Sequence, residues 1–207
     1  MSNYKDIWEK GEGSKFWNTV DFNHPFYKKQ EQVFRGFLHG FKYIMGYGIH
    51  KGKVESVLEL GAGTGRMTKI MLQVFPDIKR YDIVDLDIKE KIDPRIDRYG
   101  PMDITSKEFV NWFHPDHHNR NYDFILASEV FMHIRPEDIE RVMKLVCKLA
   151  ISTGSGTVLN IDWTSAPEHS TWCYIHDYDK LYRENGLKYI FTANIPDIKQ
   201  KLFCYGA

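Results

Sequence analysis

The sequence predicts a doubly wound α/β domain, a mostly parallel sheet with helices on both faces. Three observations carry that expectation. From Val54 onward, short apolar runs of strand length alternate with stretches whose apolar residues recur at helical spacing, the order that a mostly parallel sheet requires. The first strand runs through the glycine-rich turn Gly61-Ala62-Gly63-Thr64-Gly65 directly into a helix. The last two strand-like runs lie close together around Pro196-Asp197. A chain of 207 residues is one domain of ordinary α/β size, with residues 1–50 as an aromatic-rich helical arm and residues 54–207 as the sheet core.

In the arm, Phe34, Phe37, Leu38, Phe41, Ile44 and Met45 recur at helical spacing. A helix is expected from about Pro25 to Tyr47, ended by Gly46 and Gly48, with its aromatic stripe packed on the sheet. The segment before it sets Tyr4, Trp8 and Trp17 among Gly11, Gly13 and several charges, and reads as a lid. Val54 to Leu60 is the first strand, and Arg66 to Phe75 the helix after it, closed by Pro76-Asp77. Arg80 to Leu86 is the second strand, Arg98 to Pro101 a short third, Ser106 to Phe113 a helix, and Tyr122 to Ala127 the fourth strand. Pro136 to Leu149 is a helix with Ile139, Val142, Met143, Val146 and Leu149 on one face and proline well placed in its first turn. Gly156 to Asp162 is the fifth strand. Tyr178 to Glu184 is a helix capped by Asn185-Gly186, and Leu187 to Ala193 with Lys199 to Tyr205 forms the final strand pair.

Val57 to Thr68 is the most informative stretch. Glycine has no Cβ and tolerates positive φ, so backbone can approach a ligand closely there. The next helix offers free N–H groups and the positive end of its dipole. The spacing is G-x-G-x-G, and Arg66 stands where the dinucleotide fingerprint G-x-G-x-x-G has its third glycine. Glu59 lies two residues before Gly61. An acid there suits a cationic α-ammonium better than a pyrophosphate. These residues point to an amino-acid-like ligand joined to adenosine, S-adenosyl-L-methionine. Asp85, with Leu86 beside it, ends the second strand twenty residues beyond Gly65. In doubly wound folds an acid at this place accepts hydrogen bonds from a ribose diol. Asp87 takes the role if the register slips.

The same run resembles the glycine-rich motif of class I S-adenosylmethionine-dependent methyltransferases, and the likeness covers roughly Glu55 to Leu149. The resemblance implies a Rossmann-like, seven-stranded sheet whose last strand is antiparallel, and S-adenosyl-L-homocysteine as product. It implies that Asp103 accepts from the adenine amine while Met102 and Ile104 sandwich the ring. It also places Ser128 and Glu129 beside the methionine part. Gly65-Arg66 and Ile83-Val84-Asp85 are similar to the branch that methylates protein N-termini, in which the arginine pairs with the cofactor carboxylate. The fourth-strand segment is closer to the small-molecule branch. The expected acceptor is therefore a small molecule, methylated on oxygen or nitrogen. A protein N-terminus or other macromolecule remains an alternative acceptor, and a nicotinamide-dependent oxidoreductase or a non-catalytic cofactor-binding protein an alternative class.

Methyl transfer is an in-line displacement at a sulfonium, so the protein must hold a nucleophile within about 3–3.5 Å of the methyl and exclude water. Groups for that task lie at the C-terminal ends of strands. His133, His169 and His176 are candidate bases, although an apolar-flanked histidine such as His133 also reads as structural. Trp17, Asp162, Trp163 and Trp172 are candidate walls for the acceptor. The loop from Asp162 to Asp177 either covers the site or packs against the arm.

Other features exclude more than they assign. His114-Pro115-Asp116-His117-His118 has the composition of a metal site but precedes the fourth strand, at the wrong end of the sheet, so no metal is expected. Lys plus Arg and Asp plus Glu both number 28, which removes the electrostatic reason to expect nucleic acid. The three cysteines (Cys147, Cys173, Cys204) are far apart and suit a reducing cytoplasm. No apolar run has the length of a membrane span and no signal segment opens the chain, so a cytoplasmic protein without a membrane partner is expected.

Overall fold

The computed structural model describes residues 19–47, 53–87, 93–114, 121–166 and 172–207. Seven strands form one sheet: β1 (Ser56–Leu60), β2 (Arg80–Val84), β3 (Ile96–Tyr99), β4 (Phe124–Ser128), β5 (Thr157–Trp163), β6 (Lys188–Ile195) and β7 (Gln200–Gly206). Their spatial order is β3-β2-β1-β4-β5-β7-β6. The pairs β1/β2, β1/β4, β2/β3 and β4/β5 are parallel, and β7 is antiparallel to both β5 and β6. The last strand alone therefore runs against the others. The helices are α1 (Pro25–Tyr47), α2 (Arg66–Val74), α3 (Lys107–Phe113), α4 (Pro136–Ile151) and α5 (Tyr178–Glu184). The chain leaves β1 for β2 and β3, then returns to β4 on the other side of β1. That reversal opens a crevice at the carboxyl ends of β1 and β4.

Strand alternation sorts side chains to the two faces. Val57, Tyr81, Ile83, Phe124, Leu126, Leu159 and Ile161 pack with α1 and α2, whereas Leu58, Leu60, Val84, Ile125, Ala127 and Val158 pack with α3, α4 and α5. The aromatic stripe of α1 does pack on the sheet. Phe34 and Leu38 are fully buried, and Phe41 sets its edge against Phe124 at 5.5 Å. Each such side chain contributes about 1.5–3 kcal/mol of burial. Strand β3 begins two residues earlier than expected, because pairing with β2 sets its register at Tyr81↔Ile96. Among the described residues no helix is long and apolar enough to cross a membrane.

Candidate functional site

A cavity of about 190 Å³ lies at the carboxyl ends of β1, β2 and β4. The glycine turn forms its floor. Gly61, Gly63 and Gly65 have φ of 66°, 54° and 74°. A β-carbon on Gly61 would collide with Val130, whereas one on Gly63 would enter open space. Gly61 thus seats the turn against the end of β4, and Gly63 presents bare backbone to the cleft. Gly65 does not line the cavity. It is the N-cap of α2 and supplies no side-chain acceptor, so the first N–H groups of that helix remain for a ligand.

Asp85 follows β2 and is 8 % exposed. Its Oδ2 accepts from the Gly63 N–H at 2.7 Å, and its Oδ1 from the Asp87 N–H at 3.0 Å. The carboxylate thus pins the glycine turn to the strand end. Burial raises its pKa, and the backbone donors draw it back. A carboxylate has about four acceptor positions, so capacity for a diol remains. Leu86, Met102, Asp103, Ile104 and Thr105 line the same end of the cavity. Asp103 Oδ1 accepts from the Thr105 N–H and hydroxyl at 2.8 and 2.7 Å, which shapes the turn before α3.

Glu59 lines the cavity from beneath, 2 % exposed. Its Oε2 accepts from Thr68 Oγ1 at 2.6 Å and from the Tyr81 hydroxyl at 2.7 Å. Burial pushes its pKa up to about 7. The folded chain therefore holds a proton that the unfolded chain releases near pH 4.5, and stability falls as pH rises from there through 7. Both donors use one oxygen, so a glutamine amide can satisfy them. Glu59→Gln is expected to gain stability over the parent on the order of 1–3 kcal/mol at pH 8.5, and little at pH 5. Thermal melts at the two pH values measure this, and equal differences would refute it.

Arg66, Ser128 and Glu129 line the opposite end. Arg66 opens α2 and lies 5.5 and 5.2 Å from the ring centres of Phe22 and Tyr27. Its guanidinium donates to Gln30 Oε1 and to the Tyr27 carbonyl. Glu129 holds the left-handed φ of 57° directly after β4, and its backbone N–H donates to the Ile161 carbonyl at 2.7 Å. Two buried glutamines join these groups. Gln30 Nε2 donates to Gln200 Oε1 at 2.8 Å, and Gln200 Nε2 donates to Glu129 Oε1 at 2.6 Å. Neither glutamine was expected in the site, because each lies in a stretch with no motif.

His133 ends a 3₁₀ turn, Phe131–His133, and lines the cavity. Its Nδ1 lies 3.1 Å from the Trp172 carbonyl and donates to it. Burial pushes its pKa down to about 4, so the ring is neutral near pH 7. His176 is placed differently from expectation. Its Nε2 donates to the Phe131 and Ile134 carbonyls at 3.1 and 3.0 Å, and the Tyr174 N–H donates to the Met132 carbonyl at 2.7 Å. Residues 172–176 therefore strap the turn that carries His133. With its proton shared by two carbonyls, His176 braces backbone and does not face the cleft. His176→Ala is expected to cost about 1–3 kcal/mol of stability, read by thermal melting. An unchanged melt with lost turnover would restore a chemical role.

The wall residues divide by strand parity. Asp162 shares a face with Val158 and Asn160, on the α4/α5 side, and is fully buried. Asn160 Nδ2 donates to it at 2.7 Å, and burial pushes its pKa up to about 7. It lies beneath the site and does not line it, contrary to expectation. Trp163 points the other way and stacks on Phe26 at 5.7 Å. Trp172 is 40 % exposed, and it is its carbonyl that meets His133. Trp17, His169, His117 and His118 lie outside the described residues. Among the described residues, no group of three or more His, Cys, Asp or Glu is arranged to hold a metal ion.

A family model for a methyltransferase domain matches residues 30–190. No curated protein matches the sequence. Among solved structures, the chain is similar to magnesium protoporphyrin IX methyltransferase (ChlM) from Synechocystis PCC 6803 with bound SAM, at 13 % identity and a TM-score of 0.65, over 100 % of this chain and 99 % of that one. It is also similar to 1,6-didemethyltoxoflavin-N1-methyltransferase from Burkholderia thailandensis, bound to 1,6-didemethyltoxoflavin and S-adenosylhomocysteine. There the identity is 14 % and the TM-score 0.63, over 99 % of this chain and 90 % of that one. At such identities the likeness is one of fold.

Proposed function

Since the chain belongs to the methyltransferase-domain family, we propose that it transfers the methyl group of S-adenosyl-L-methionine to an oxygen or nitrogen of a small-molecule acceptor. The observation that carries this reading is the donor set gathered in one cleft. Bare backbone at Gly63 and the Asp85 carboxylate suit a ribose. Met102 and Ile104 flank Asp103 as an apolar slot with a polar edge suits adenine. Arg66 and Glu129 supply a cation and an anion for the carboxylate and ammonium of an amino acid. When bound, the cofactor supplies an activated methyl on a sulfonium, and the chain's residues orient and desolvate the reacting atoms.

A small acceptor is supported by the 1,6-didemethyltoxoflavin bound to the structurally similar 1,6-didemethyltoxoflavin-N1-methyltransferase. Phe22, Ile134, Arg135 and Asp138 line the part of the cleft left for it. His133 is assigned to the acceptor side. His133→Asn is expected to lower kcat about tenfold or more and to leave cofactor affinity unchanged. Because the ring titrates near 4, the loss should be the same from pH 6 to 9. A matching loss of cofactor affinity would make His133 a structural residue.

Calorimetric titration with S-adenosylhomocysteine, with NADH as control, tests the cofactor. Micromolar binding of the first alone supports the reading, and binding of NADH alone overturns it. A labelled methyl donor offered to small molecules and to peptide N-termini then separates the two acceptor classes.

A further inference from the structure

We propose that Gln30 and Gln200 are positioning residues that hold Arg66 and Glu129 apart, so that guanidinium and carboxylate together receive the zwitterionic end of the cofactor's amino-acid part. The inference rests on the cleft being an S-adenosylmethionine site.

The four groups come from four separate elements: Gln30 from α1, Arg66 from α2, Glu129 from the turn after β4 and Gln200 from the start of β7. Gln30 is fully buried and Gln200 is 1 % exposed. A buried amide is costly unless its donors and acceptor are used, and here they are used in one direction. Arg66 donates to Gln30 Oε1, Gln30 Nε2 to Gln200 Oε1, and Gln200 Nε2 to Glu129 Oε1. Arginine only donates and an ionised carboxylate only accepts. The two charged ends thus dictate how both amides lie, because flipping either one would set donor against donor.

The relay has a consequence for the cleft. Arg66 and Glu129 both line it, and their charges attract. Without a spacer such groups close into a direct pair that spends their hydrogen-bonding capacity on each other. Among the described residues no ion pair joins them, and the carboxylate paired with Arg66 is Glu31, at 3.6 Å. Gln30, Gln200 and Trp163 lie near Glu129 and draw its pKa back from the rise that burial causes. Both charges are therefore fixed in place while their interaction stays indirect.

The test compares S-adenosylhomocysteine with 5′-deoxy-5′-methylthioadenosine, which keeps the adenosine and thioether but lacks the amino-acid end. Both are titrated into the full chain and into Gln30→Met and Gln200→Met. The expected result is affinity for S-adenosylhomocysteine weakened about tenfold or more in each variant, with the methylthioadenosine affinity changed less than about twofold. Parallel losses for both ligands, or no loss for either, overturn the proposal. Gln30→Glu and Gln200→Glu keep the volume but replace the donating NH₂ with an acceptor. They are expected to show the same split if a methionine variant fails to fold. Parent protein that binds neither ligand would sink the cofactor reading itself. Parent that binds both, with variants that show no split, would sink only the positioning role.

Discussion

Asp85→Ala is expected to weaken binding of S-adenosylhomocysteine by about 30–1000-fold, or about 2–4 kcal/mol. Two losses combine. One is the charged acceptor at the end of β2, where a ribose diol would bind. The other is the bond from the Gly63 N–H at 2.7 Å, which holds the glycine turn in its left-handed conformation. Asp85→Asn separates them, since the amide oxygen can still accept from Gly63 while the charge is gone. It should retain part of the affinity. Calorimetry of both variants is the measurement. Unchanged affinity in Asp85→Ala would pass the ribose role to Asp87 and leave Asp85 as a turn residue.

Gly156→Ala is expected to destabilise the chain by about 3 kcal/mol or more, lowering the melting temperature by roughly 6–12 °C. Gly156 precedes β5 where the chain passes beneath the end of α4. A β-carbon there would lie 2.8 Å from both Ala150 Cα and the Tyr122 carbonyl oxygen, and nearer still to the Ala150 carbonyl oxygen. All three are backbone atoms, so no side-chain rotation relieves the clash. The Ala207 N–H also donates to the Gly156 carbonyl at 3.0 Å, which ties this point to the end of β7. Gly154→Ala is a useful contrast. Its β-carbon would meet nothing within 4 Å, but its φ is +74°. It should lose only the cost of a left-handed alanine, about 1–2 kcal/mol. Similar melts for Gly156→Ala and the parent would show that α4 can shift away from β5.

Some of this was legible locally. The glycine turn, the acid at the end of β2 and the stripe of α1 are encoded by spacing within about one element, and periodicity or a tight turn writes such features into neighbouring residues, whereas a role for Met102, Asp103 and Ile104 came only from the family resemblance. The order of strands and helices followed from the same signals, because a parallel sheet must alternate with its crossovers.

What was not legible depended on contacts across the chain. Asp162 and Trp163 are adjacent in sequence, yet pleating sends one into a buried network on the α4/α5 side and the other against Phe26 of α1. His176 reads as a catalytic imidazole until the carbonyls of Phe131 and Ile134 are found to share its proton. Gln30 and Gln200, 170 positions apart, carry no motif at all. The sequence by itself determined the sheet's element order and the floor of the cleft, since local backbone geometry depends on near neighbours. Only the tertiary structure decided which polar side chains face the cleft and which brace it, because hydrogen-bond partners are chosen by proximity in space.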